Sequence, residues 1–95
     1  MNNYIIYAHK NKINKKMYIG QTCQSPAKRW GMHGQRYKNQ VFYNAILKYG
    51  WDNFEHIILE KGLSKDEANK REQYYIQKYK TTDKQFGYNI TIRRR

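Results

Sequence analysis

Two short runs near the start of the chain, YIIYAHK at 4–10 and KMYIGQT at 16–22, are rich in the branched and aromatic residues that favour strands. Between them NKINK, polar and holding two asparagines, reads as a hairpin loop, so Tyr7 and Tyr18 fall on its two strands. The pattern then changes. SPAKRWGMHGQRY opens with Ser25 as an N-cap and Pro26 at the first helical position, which predicts a helix start, while Gly31 and Gly34 weaken it beyond its first turns. VFYNAILKYG predicts a second helix closed by Gly50, and NFEHIILEKG a third strand. The last helix begins at Ser64, where Glu67 completes a capping box and Leu63 is placed for a hydrophobic staple. After it GYNIT predicts a turn and a short extended tail. The order β, β, α, α, β, α describes an α/β (α+β) fold, a small three-stranded antiparallel sheet flanked by helices.

One position breaks the hydrophobic logic of the last helix. On a 3.6-residue period Ala68, Glu72, Tyr75, Ile76 and Tyr79 share a face, so Glu72 lies on the stripe that should meet the protein rather than water. Desolvating an unpaired carboxylate costs several kcal/mol or more, so a metal, a cation or hydrogen-bond donors must compensate it.

Length allows one domain over residues 1–95, with a core at about 4–90 and a basic tail at 91–95. Charge is more informative. Nineteen Lys and Arg stand against seven Asp and Glu, a net charge of +12, and residues 1–50 hold nine of the basic residues and none of the acidic ones. Surfaces shaped only by solubility mix both signs, so an acid-free half points to a polyanion, nucleic acid above all. The single cysteine, Cys23, excludes an intrachain disulfide and suits a reducing compartment, and it reads as a small buried filler. MNNYIIYAHK lacks the apolar run of a signal peptide or membrane span, so the expected location is cytoplasmic.

Arg29 and His33 are four apart and project from one face if their segment is helical. Arginine suits a phosphate because its planar fork binds two oxygens and keeps its charge, and a histidine there can protonate a leaving group or hold a phosphate oxygen. The same pair also fits the solvated face of a basic helix. Tyr7 and Tyr18 fit cross-strand packing as well as chemistry, and Trp30 and Trp51 read as core rings. Gly20, after Ile19, marks a bulge or a place where another group comes close to the backbone, a phosphate backbone being one candidate.

IIY at 5–7, YIG at 18–20, then Arg29, His33, Glu72 and Asn89 in that order resemble the GIY-YIG nuclease domain superfamily, of homing-endonuclease-like, phage or prophage type. The resemblance runs from about Tyr4 to Ile90. It implies a metal-dependent endonuclease that hydrolyses DNA phosphodiester bonds, with catalytic residues Tyr7, Tyr18, Arg29, His33, Glu72 and Asn89. Glu72 is then the single protein ligand of one divalent ion, Mg2+ or Mn2+. Tyr7 helps to deprotonate the attacking water, Tyr18 orients that water or a phosphate oxygen, and Arg29 neutralises charge on the transition state. His33 contacts phosphate or the general base, and Asn89 braces the site. Gly20, Lys28, Arg36 and Lys38 are the expected DNA contacts. The partner is DNA, with no membrane and no small-molecule cofactor, and site choice or double-strand cleavage calls for a separate DNA-binding module or a second copy.

Ile5 departs from the family pattern by standing where the first tripeptide has glycine, and Tyr37 or Tyr43 takes the place of a further histidine found in some members. A free phenol has a pKa near 10 and is a poor base, so the role of Tyr7 needs cations that lower its pKa or a metal-bound hydroxide that shares the task. Two alternatives belong to other classes. A catalytically inactive nucleic-acid-binding module would keep the basic surface, but it has no need of Glu72 on an inner helix face. A structural metal site built from Cys23, His9, His33 and His56 lacks the close paired spacing of zinc proteins.

Overall fold

Strand β1 (Tyr4–Asn11) lies between β2 (Met17–Thr22) and β3 (Phe54–Leu63) and runs antiparallel to both. These elements belong to a computed structural model that describes residues 3–37 and 41–89, without the side chains of His33 and Arg36. Those two side chains, the whole of Lys38 and the arginine tail at 91–95 lie outside the described residues.

The hairpin follows the sequence. Asn11 closes its loop by accepting hydrogen bonds on Oδ1 from the N–H groups of Ile13 (2.8 Å) and Asn14 (3.3 Å), the side-chain turn that asparagine favours. Across the strands Tyr7 faces Gly20 and His9 faces Tyr18. Register shifts between β1 and β3 place the extra residues on β3, so β1 keeps its two-residue alternation. Ile5, the departure from the family tripeptide, sits within β1 opposite Thr22 and keeps Tyr7 in register.

Alternation then sorts the core into two clusters. Ile6, Ala8, Met17 and Ile19 pack with Ala68 and Ile76 of helix α3 (Lys65–Tyr79). On the other side of the sheet Tyr37, Phe42, Ala45, Ile46 and Phe54 form a second cluster, joined by Tyr18, Trp30 and Trp51. That cluster includes helix α2 (Val41–Tyr49), which Gly50 ends by donating its N–H to Ile46 O at 2.8 Å. Helix α3 starts as predicted: the Ser64 hydroxyl accepts from Glu67 N–H and the Glu67 carboxylate accepts from Ser64 N–H, which completes the capping box. Its exposed flank is tied to β3 by Glu60, which accepts from Arg71 Nε (2.6 Å) and the Tyr75 hydroxyl (2.7 Å).

Two expectations change. Helix α1 (Pro26–Trp30) has only five residues, because Gly31 takes φ 73° and turns the chain into a 3₁₀ stretch at Met32–Tyr37. Arg29 and His33 are therefore not one turn apart on a continuous helix. Cys23 is exposed rather than buried, since it lies beyond the end of β2. Among the described residues no helix is long and apolar enough to cross a membrane.

Candidate active site

The first tripeptide and the second meet face to face. Tyr7 is fully buried, and its ring lies over its cross-strand partner Gly20. A Cβ added at Gly20 would come within 2.5 Å of Tyr7 Cζ and closer still to its hydroxyl. The group that approaches this backbone so closely is therefore Tyr7 itself. Glycine in YIG makes room for the tyrosine of the first strand, an aromatic cover for a strand glycine. Tyr18, on the same face of β2, is half-buried and stacks on Phe42 with ring centroids 4.6 Å apart and planes 4° from parallel.

Helix α1 delivers Arg29 to these phenols. Its guanidinium lies 5.1 Å from the centroid of the Tyr37 ring, a cation–π distance. Partial burial disfavours the arginine's charge, but Tyr7, Tyr37, Tyr18 and the Glu72 carboxylate outweigh it and hold its pKa above the ordinary value. Lys28, the neighbouring residue on α1, is exposed.

Glu72 has only 1 % of its surface exposed, as the helical periodicity requires. Gln21, on the α3 side of β2, donates from Nε2 to Glu72 Oε1 (2.9 Å) and to Asn69 Oδ1 (2.7 Å). A hydrogen-bond donor and the charge of Arg29 thus compensate the carboxylate in the folded protein. The donor set fits one hard divalent ion. Mg2+ is commonly held by one or two carboxylates, with waters and substrate phosphates completing its shell. Among the described residues no three His, Cys, Asp or Glu side chains cluster into an all-protein cage.

Asn89 arrives from the far end of the chain. Its amide accepts from Ile19 N–H through Oδ1 (2.9 Å) and donates to Ile19 C=O through Nδ2 (2.9 Å), imitating a neighbouring strand on the open edge of β2. The segment before it joins the same edge, with Met17 N–H donating to Phe86 O (3.1 Å) and Tyr88 N–H to Met17 O (2.9 Å). Asn89 therefore fixes the main chain between Tyr18 and Gly20.

Tyr37, one of two candidates for the place of the family's further histidine, is fully buried and hydrogen-bonds to the Tyr7 hydroxyl at 3.3 Å. Burial raises its pKa well above the ordinary phenol value, and its contacts with Tyr7 add to the rise. Sequence reasoning missed Gln21 and weighed His9 only as a ligand of a structural metal site. Both were within reach of the two-residue period, which places His9 on the face of Tyr7 and Gln21 on the face of Ile19. His9 Nε2 lies 2.9 Å from the Tyr37 hydroxyl and its Nδ1 lies 2.8 Å from His56 Nδ1, so the two histidines bond to one another. Burial, His56 and Arg29 together lower the His9 pKa to about 2 and keep it neutral.

No curated protein matches the chain. Two solved structures resemble it over almost their whole length. One, a glutamate-to-alanine mutant of the catalytic domain of intron endonuclease I-TevI, is 28 % identical with a TM-score of 0.78, covering 96 % of this chain and 97 % of that one. The other, the catalytic domain of homing endonuclease I-TevI, is 30 % identical with a TM-score of 0.75, covering 93 % and 98 %. Residues 3–89 match the GIY-YIG catalytic domain, and together with the cross-strand seating of Tyr7 on Gly20 this establishes that the chain belongs to the GIY-YIG catalytic domain family.

Proposed function

We propose that this domain is an endonuclease that hydrolyses DNA phosphodiester bonds with one divalent ion, Mg2+ or Mn2+, held by Glu72. The observation that carries this reading is that Arg29 of α1 interacts electrostatically with Tyr7 of β1, Tyr18 of β2 and the buried Glu72 of α3, so four elements bear on one cation. An arginine and a buried carboxylate on one site suit a phosphate flanked by a metal.

Each residue has a task that its surroundings support. Arg29 pairs with the phosphate and stabilises the charge that grows on its oxygens, where electrostatic catalysis is usually largest. Tyr18, half-buried, orients the attacking water or a phosphate oxygen. Tyr7 receives the water's proton on its hydroxyl oxygen. Gln21 fixes the rotamer of Glu72, and Asn89 holds the strand that carries Tyr18. When bound, the metal ion supplies further positive charge to the phosphate. Lys28 and the acid-free half draw the DNA backbone electrostatically. A single site cuts one strand, so a double-strand break calls for a second copy or a second cut, and sequence choice for a separate DNA-binding module. The lone cysteine suits a reducing, cytoplasmic setting.

Supercoiled plasmid incubated with the domain, with Mg2+ or Mn2+ and then with EDTA, beside Glu72→Gln, tests the reading. Metal-dependent nicking by the wild type alone, with DNA binding retained in both, is the expected outcome. Cutting by Glu72→Gln at the wild-type rate would remove the metal from Glu72. A salt-sensitive gel shift without cutting by the wild type would leave a binding module.

A further inference from the structure

His9 and His56 have no part in the chemistry above, yet a continuous row of polar atoms joins them to Tyr7. We propose that His56, His9 and Tyr37 form a proton relay that carries the proton displaced from Tyr7 to the protein surface. The inference rests on the nuclease reading and adds to it a route and three residues.

Tyr7, Tyr37 and His9 are all fully buried, and the row they form with His56 links the buried phenol to the protein surface. The row runs from the Tyr7 hydroxyl to the Tyr37 hydroxyl (3.3 Å), to His9 Nε2 (2.9 Å), and from His9 Nδ1 to His56 Nδ1 (2.8 Å). His56 stands at the surface end, where it is exposed. Each hydroxyl both donates and accepts, and a neutral imidazole does one at each nitrogen, so the row can be oriented in either direction. Aromatic walls hold it in place: the His9 ring meets Trp30 edge-on at 4.7 Å and stacks on Phe42 at 5.6 Å. The 3.3 Å step is long for two hydroxyls, and it is the one next to the substrate, where catalytic hydrogen bonds commonly tighten on binding.

The transfer balances without a phenolate. Water's proton goes to the Tyr7 oxygen as the Tyr7 hydroxyl proton passes to the Tyr37 oxygen. The Tyr37 proton passes to His9 Nε2, the His9 Nδ1 proton to His56 Nδ1, and the His56 Nε2 proton to bulk water. One proton enters, one leaves, and no residue keeps a charge. His9 is too deeply buried to hold a positive charge, so gain at one nitrogen and loss at the other must be concerted. A phenol thus serves as a base near neutral pH because it never has to ionise first.

Single-turnover nicking of supercoiled plasmid with Mg2+ in dilute, non-nucleophilic buffer tests the relay with wild type, Tyr37→Phe and His56→Ala. Both variants should be slower by about tenfold or more, within the range of general acid–base effects. Added imidazole should restore His56→Ala, whose gap is at the surface, and leave Tyr37→Phe slow. The wild-type rate in mixtures of H2O and D2O should report several protons in flight and Tyr37→Phe fewer. Wild-type rates in both folded variants, or a slow His56→Ala that imidazole leaves unchanged, would overturn the relay while the nuclease stands. A wild type that does not nick removes both.

Discussion

Gly20→Ala isolates the contact between the two tripeptides. The added methyl would sit 2.5 Å from Tyr7 Cζ, whereas carbon atoms rest at about 3.5 to 4.0 Å, so ring and strand must separate by roughly 1 Å. Tyr7 cannot simply swing aside, because Trp30 meets its ring edge-on at 5.6 Å and the Tyr37 hydroxyl bonds its tip. Gly20 has an ordinary strand φ, so the effect comes from the side chain and not from backbone strain. Overpacking of this kind costs about 1 to 3 kcal/mol, and in a domain of this size each kcal/mol lowers Tm by about 4 to 8 °C. The catalytic loss should be larger in proportion, since a displacement of about 1 Å in a reacting group can cost about a hundredfold in rate. Thermal melts followed by tryptophan fluorescence, run beside plasmid nicking at a temperature where both proteins are folded, separate the two effects. A folded Gly20→Ala variant that nicks at the wild-type rate would refute the role given to the Tyr7–Gly20 contact.

Arg29→Ala should slow nicking by about a hundredfold or more and weaken DNA binding in parallel, as expected for loss of a transition-state cation. Normal cutting in that variant would assign the phosphate to another residue. Acid should destabilise the fold through His9, whose folded pKa of about 2 lies far below the 6.5 of an unfolded chain. Below pH 6.5 the unfolded state binds a proton that the folded state refuses, so this contribution to stability is complete above that pH and falls by about 1.4 kcal/mol per unit beneath it. Two units lower the loss is about 3 kcal/mol, and urea midpoints that stay constant over that range would contradict it. Ser64→Ala removes the cap of α3 and should cost about 1 kcal/mol, read as a drop in Tm, with cutting unchanged below the melt. A Tm equal to the wild type would mean that the capping box adds nothing to stability.

Local signals carried the fold. The hairpin, the Ser25 and Ser64 starts, Gly50 and the β3 run were all legible because each depends on a few adjacent residues. The length of α1 was less legible, since a glycine at positive φ only weakens a helix on paper but ends it once the next segment packs elsewhere. Cys23 was misjudged because burial follows from where β2 stops, which composition does not reveal. In the site, Glu72 announced itself by contradicting its helix face, whereas Gln21 looked like any polar strand residue until the strand was seated against α3. His9 is the harder case: a histidine inside an apolar strand has many uses, and only the packing of β3 and the 3₁₀ stretch brings His56 and Tyr37 to its two nitrogens.

Asn89 and Ile19 are 70 residues apart in sequence, yet their paired hydrogen bonds hold the strand that carries the second tripeptide. Such distant contacts form late, after the entropy of closing the intervening loop has been overcome. A growing chain therefore displays Tyr7, Tyr18 and Arg29 long before it can fix them in place. The strand that carries Tyr18 therefore has its full set of edge hydrogen bonds only once residue 89 has docked.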